Sequence, residues 1–158
     1  MKRHTKAALI VVVGVMGVSL WKHYKEDYGV RVDSVWWLPS EAQNITYIRN
    51  DAIQIAEFDI ERAAFEKWCA RRKMPLRELR DEEEHTVDRC LLLLEQRRII
   101  PTDSEPNDVE GGLRGMERAS KGLDAGDLFY EERWSSGGGY SIGYDVEEER
   151  GYYAYAHH

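Results

Sequence analysis

The residue types able to do covalent chemistry are few. Cys69 and Cys90 are the two thiols in the chain. A nucleophilic cysteine needs a lowered pKa and a neighbouring base. Cys69 instead follows Trp68 in an apolar helical pattern, and Cys90 shares an apolar stripe with Val87, Leu91 and Leu94. That placement suits a small buried hydrophobe. Outside the cytoplasm the pair is a possible disulfide, provided the two Cα atoms come within about 7 Å. No Gly-x-Ser-x-Gly elbow is present. Scattered carboxylates such as Glu132 and Asp145 suit acid–base chemistry only if they converge and burial raises one pKa.

Metal-ligand spacings are equally thin. Glu82 and His85 stand at Glu-x-x-His spacing, with Asp88 close behind, but a di-metal bundle needs a second such pair on a facing helix. Acids in a first helical turn are already explained by the helix dipole. Asp103, Glu105, Asn107, Asp108 and Glu110 have a calcium-loop composition. An EF-hand needs Gly sixth and Glu twelfth; counted from Asp103 those places hold Asp108 and Arg114. The glycines at 111, 112 and 115 and at 137–139 make neither a dinucleotide fingerprint nor a P-loop. The sequence therefore points to no catalytic residue, no metal and no cofactor.

The richest feature is aromatic. Tyr130, Trp134, Tyr140, Tyr144, Tyr152, Tyr153 and Tyr155 fall close together near the C-terminus. Rings on a sheet can stack on sugars or serve as protein-contact hot spots, but they also build ordinary cores. Trp134, Tyr140, Tyr144 and Tyr153 are the expected ligand-binding set. Asn44-Ile45-Thr46 matches a glycosylation sequon.

The elements that must position these side chains read as follows. Folded structure is expected to begin near Val35-Trp36-Trp37-Leu38; Lys22 to Ser34 is charged and mixed, and residues 26–34 read as a stalk. Ile45–Ile48 and Ala52–Phe58 read as two strands around Asn50-Asp51. Asp59 suits the N-cap of a helix from Ile60 to about Arg72, where Ile60, Ala64, Phe65 and Trp68 share a face. A second helix is expected from about Glu82 to Arg98, with Asp81 and Glu84 in a capping arrangement. Residues 101–126 are rich in Pro, Gly and acid and read as a flexible loop, with a short helix over Leu113–Lys121. Three strands follow, Leu128–Trp134, Gly139–Val146 and Gly151–Ala156. Within the second, Tyr140, Ile142, Tyr144 and Val146 alternate with smaller or polar residues. Strands flanking a helical middle imply an α+β domain over 35–158 with an antiparallel sheet.

Residues 1–25 differ in kind. Ala7 to Trp21 is apolar all round, broken by nothing more polar than Ser19, and basic residues flank it. Such a run suits lipid better than a globular core. As a helix it reaches only about 22 Å against a hydrocarbon layer of about 30 Å. Snorkelling by Lys6 and Lys22 and interfacial seats for Trp21 and Tyr24 make up the difference. The expectation is a single transmembrane helix, with cleavage near Gly17-Val18-Ser19 and secretion as the alternative. Lys2, Arg3 and Lys6 outnumber Lys22 and Lys25, which places the N-terminus in the cytoplasm and the domain outside it.

Charge narrows the partners. The 158 residues carry 22 Lys+Arg and 29 Asp+Glu. Residues 1–25 hold five of the basic residues and none of the acidic ones, so the remainder has 17 against 29, a balance of −12. A domain that acidic is a poor match for nucleic acid. The reading is thus a single-pass membrane protein with a non-cytoplasmic domain that binds or scaffolds, its partner an envelope protein or wall polymer. The alternative is a small envelope hydrolase using paired carboxylates.

Overall fold

The computed structural model describes residues 27–97 and 120–157, so the expected anchor over Ala7–Trp21 lies outside the described residues. Among the described residues, no helix is long and apolar enough to cross a membrane. The elements are β1 (Asp27–Val32), β2 (Gln43–Arg49), β3 (Ile53–Asp59), α1 (Arg62–Arg71), β4 (Arg77–Glu78), β5 (His85–Asp88), α2 (Cys90–Gln96), β6 (Ser120–Leu123), β7 (Leu128–Arg133), β8 (Gly139–Asp145) and β9 (Arg150–Ala156). Seven of the strands form one antiparallel sheet in the order β1-β2-β3-β9-β8-β7-β4, and β5 pairs with β6. The domain is α+β, as the sequence pattern implies.

Strand alternation sends side chains to two faces, and both are covered. On one, Phe65, Trp68 and Cys69 of α1 pack on Phe58, Ile142, Tyr144 and Tyr153. On the other, α2 sets Cys90 and Leu94 against Ile48 and Ile55. Beside it, β5 and β6 set Val87 and Leu123 against Phe129 and Tyr152. Gly143 permits that second contact: a Cβ there would stand 2.5 Å from Val87 Cγ1 and 2.8 Å from Leu123 Cδ1.

The three C-terminal strands and the β2–β3 hairpin fall where sequence periodicity puts them, to within one or two residues. Other expectations are corrected. Residues 27–32, assigned to a stalk, are the edge strand β1, paired with β2 from Asp27↔Arg49 onward. Asp59 does not cap α1. It remains in the β3–β9 ladder opposite Arg150, and its carboxylate takes the Arg150 guanidinium and the Asn44 amide instead. The cap position falls to Glu61, whose side chain makes no capping bond.

The largest correction concerns Glu82–Arg98. His85-Thr86-Val87-Asp88 is a strand, and the helix is only Cys90–Gln96, entered from Arg89. β-Branched Thr86 and Val87 favour the pleated form, and their partner β6 comes from the other side of residues 98–119. Asp81 and Glu84 therefore cap nothing; Glu83 instead accepts from Arg80 N and pairs with Arg77. Part of the expected 101–126 loop is likewise regular structure, since 120–123 is β6, and Ser120-Lys121, the end of the expected Leu113–Lys121 helix, belong to that strand.

Candidate aromatic binding surface

Strand parity divides the C-terminal aromatics. Tyr152 points to the α2 side and is 1% exposed. Tyr144 and Tyr153 point to the α1 side and are also buried. The Tyr144 ring stacks on Phe65 at 5.0 Å, and its hydroxyl donates to Ile60 O at 3.0 Å. Tyr153 packs against Trp37 at 5.4 Å and Trp68 at 5.7 Å. Two members of the expected ligand-binding set, Tyr144 and Tyr153, are thus core side chains with no ring face left for a ligand.

The other two, Trp134 and Tyr140, come together at one end of the sheet with a ring outside that set, Tyr155. Trp134 stands edge-on to Tyr140 and to Tyr155, both at 5.8 Å, while Tyr140 and Tyr155 lie 5.0 Å apart. All three are half-buried. Such T-shaped and tilted pairs stabilise one another beyond simple burial. The register explains the meeting, because Tyr140 pairs directly with Tyr155 across β8 and β9. Tyr153 and Tyr155, two residues apart on β9, share a face of the sheet. Trp68 of α1 covers the first and leaves the second half-open.

Turn geometry places Trp134. Its N–H donates to Gly138 O, closing the β7–β8 turn. Gly139 then takes φ +151°, where a Cβ would collide with Glu132 O at 1.9 Å. The glycines at 137–139 therefore serve a hairpin. Next to the rings, the Glu132 carboxylate accepts from Tyr130 Oη at 2.7 Å and from Trp134 Nε1 at 2.9 Å. These two bonds hold Glu132 below the usual carboxylate range, and the same contact pushes the Tyr130 hydroxyl up to about 12. The result is an oriented anionic group at the margin of an aromatic shelf.

The shelf continues along one cross-strand row: Asp27, Arg49, Gln54, Tyr155, Tyr140 and Glu132 are successive partners from β1 to β7. At its β2 end the Arg49 guanidinium lies 4.9 Å over the ring of Trp36, which is 81% exposed. Arg72 borders it on the α1 side, stacked on Trp68 and donating to Trp37 O at 2.6 Å.

The remaining candidates do not assemble. Glu132 and Asp145 stand at opposite ends of the sheet and on opposite faces, so they form no catalytic pair. Asp145 is engaged by Lys121 and by Glu148 N–H. With 85–88 in a strand, Glu82, His85 and Asp88 lack the helical face that would converge them. His85 instead lies 4.4 Å from the Phe129 ring. Among the described residues no cluster of three or more His, Cys, Asp or Glu could hold a metal ion; residues 103–115 lie outside them. Asn44 is exposed and donates to Asp59, whereas Thr46 of the same sequon is buried.

Cys69 and Cys90 do not form the possible disulfide. Both thiols are free and buried, one on each side of the sheet. Burial pushes the Cys69 thiol up to about 12 and raises Cys90 as well, the opposite of nucleophile activation.

A cleft of about 700 Å³ also lies between α1 and β7, with Met74 and Leu128 in its floor. Glu66 and Glu78 line it, and both pair with Arg62, at 2.9 and 3.7 Å. These are exposed ion pairs over core side chains, whereas the shelf offers fixed rings and a fixed carboxylate. Concave volume alone is a weaker pointer than convergent, oriented groups. No family model, curated protein or solved structure matches this chain.

Proposed function

We propose that this chain is a single-pass membrane-anchored protein whose non-cytoplasmic domain binds or scaffolds a partner through the shelf of Trp134, Tyr140 and Tyr155. The observation that carries the reading is the set of three mutually packed, half-covered rings with the Glu132 carboxylate held beside them. Large rigid rings supply contact area at little entropic cost, and a fixed polar group at their rim sets orientation. The apolar run Ala7–Trp21 supports membrane attachment, and the −12 balance of the remainder disfavours nucleic acid. An envelope protein or a wall polymer is the partner class this position favours.

The test uses the full chain in native membranes. Trp134→Ala with Tyr155→Ala should leave folding intact and cut cross-linked recovery of partner or wall material at least several-fold. Equal recovery would remove the shelf from the proposal. The alternative, an envelope hydrolase, is favoured by one observation only: the cleft brings Glu66 and Glu78 together around Arg62. Hydrolysis of wall material that disappears in Glu66→Gln and Glu78→Gln, but survives in the shelf variant, would select that reading.

A further inference from the structure

We propose that the Asp27 end of the sheet rests on the lipid–water interface of a phospholipid bilayer, seated there by Trp36 and Arg49 on one face of the sheet and by Tyr28 on the other. The inference rests on the membrane-anchor reading of Ala7–Trp21 and adds how the domain stands on the membrane.

Covalent geometry limits the distance. Asp27 heads β1 and pairs with Arg49, so the chain enters the domain at the end of the sheet that also bears the shelf. Only residues 22–26 separate Trp21, the last of the apolar run, from Asp27. Even fully extended, a stretch of that length covers about 20 Å. This end of the domain therefore stays within about 20 Å of the bilayer boundary, and the tether holds it at a high effective concentration there. A few interfacial side chains then suffice for docking where they would fail for a free protein.

The side chains at that corner are of the interfacial kind. Trp36 is 81% exposed and Tyr28 45%, the two most exposed large rings among the described residues. A tryptophan with no core to enter is costly to leave in water, and the headgroup layer accepts both its apolar body and its N–H. Arg49, stacked over Trp36 at 4.9 Å, places a guanidinium where lipid phosphates would lie.

Charge sets the polarity. The far end of the sheet, at the β6–β7 and β8–β9 connections, carries the exposed Asp124, Glu147 and Glu149, besides Asp145 and Glu148, which share Lys121; the near end offsets Asp27 and Glu132 with Arg49 and Arg133. Membrane phosphates and anionic lipids repel that end. Tether, rings and repulsion thus favour one orientation, with the shelf held at the membrane surface and the acidic end facing away.

The full chain, reconstituted in phosphatidylcholine vesicles, gives the test. A spin label at Ala52→Cys reports the β2–β3 turn next to Arg49, and one at Glu147→Cys reports the far end; the buried Cys69 and Cys90 stay unlabelled in the native state. The expected result is that the Ala52 label collides with oxygen rather than with an aqueous nickel chelate several-fold more than the Glu147 label does. Trp36→Ala, at an exposed site, should erase that difference. If the chain survives an alkaline wash but the two labels match, or Trp36→Ala changes nothing, docking is overturned and the anchor stands. An Ala52 label shielded from both relaxants would indicate a protein contact and also overturn it. A chain that washes off the vesicles overturns the anchor reading itself.

Discussion

Trp134 Nε1 donates a hydrogen bond to Glu132 Oε1 at 2.9 Å, so an exposed carboxylate and a half-buried indole orient one another at the turn of one hairpin. The other carboxylate oxygen takes the Tyr130 hydroxyl at 2.7 Å. Glu132→Ala removes both acceptors without touching the core. The domain should remain folded, its near-UV circular dichroism should change as Trp134 gains freedom, and Tyr130, relieved of the Glu132 contact that raises it, should ionise at lower pH. A tyrosine absorbance titration reads the last effect. A curve identical to that of the parent would show that Glu132 does not hold the ring.

Gly143 meets Val87 and Leu123 at distances no Cβ can share, 2.5 and 2.8 Å. Gly143→Ala should therefore push β5–β6 off the sheet or force those side chains out of their rotamers. Overpacking of this kind costs about 1–3 kcal/mol. The expected signature is a lower urea midpoint together with faster amide exchange at Val87 and Lys121, while β3 and β9 keep their protection. Uniformly faster exchange across the whole sheet would mean that β5–β6 is not a separable layer.

How much of this was readable in advance depended on where each contact partner lies along the chain. β8 was legible because Tyr140, Ile142 and Tyr144 record one buried face within a few residues, a local signal. β5 was not, because Val87 and Leu91 also fit a helical stripe, and the strand pairs with Ser120–Leu123 from beyond residues 98–119. Asp59 fits a helix cap by type, but opposite Arg150 the ladder and ion pair hold it in β3. The aromatic site shows the same limit. Composition pointed to the C-terminal strands, yet Tyr144 and Tyr153 are buried by α1, whereas Arg72 comes to the edge of the rings from a distant segment. Periodicity reports which side chains share a face, and it does not report what covers that face.

The buried charges make a third prediction. Glu57 is 1% exposed and pairs with Arg150 at 3.2 Å, with Arg89 3.9 Å away. Removing one member of such a pair strands the other charge and typically costs about 3–5 kcal/mol, whereas replacing both by apolar groups can be nearly neutral. Arg150→Met leaves buried Glu57 with Arg89 alone and exposed Asp59 without its cation, so it should destabilise the domain strongly, and Glu57→Leu combined with Arg150→Met should recover part of the loss. Urea unfolding of the two variants decides the matter. A double variant no more stable than Arg150→Met alone would show that the network contributes more than mutual neutralisation.

Acid should weaken the same end of the sheet by a separate route. Burial alone would raise the Asp145 carboxyl, but Lys121 and the Glu148 N–H outweigh it and hold Asp145 below its ordinary 3.8. A carboxyl depressed in the folded state binds its proton more readily when unfolded. Its contribution is therefore fully present above the unfolded value of 3.8 and is lost as pH falls through the lower folded value. Lys121 also pairs with Glu148 at 2.7 Å, so protonating Asp145 leaves the ammonium one partner rather than none, which limits the loss. Urea midpoints compared at about pH 5 and about pH 3 should fall for the parent chain and fall less for Asp145→Asn, which cannot titrate. Equal declines in the two proteins would assign the acid sensitivity to other carboxylates and leave the Asp145–Lys121 pair without a measurable share.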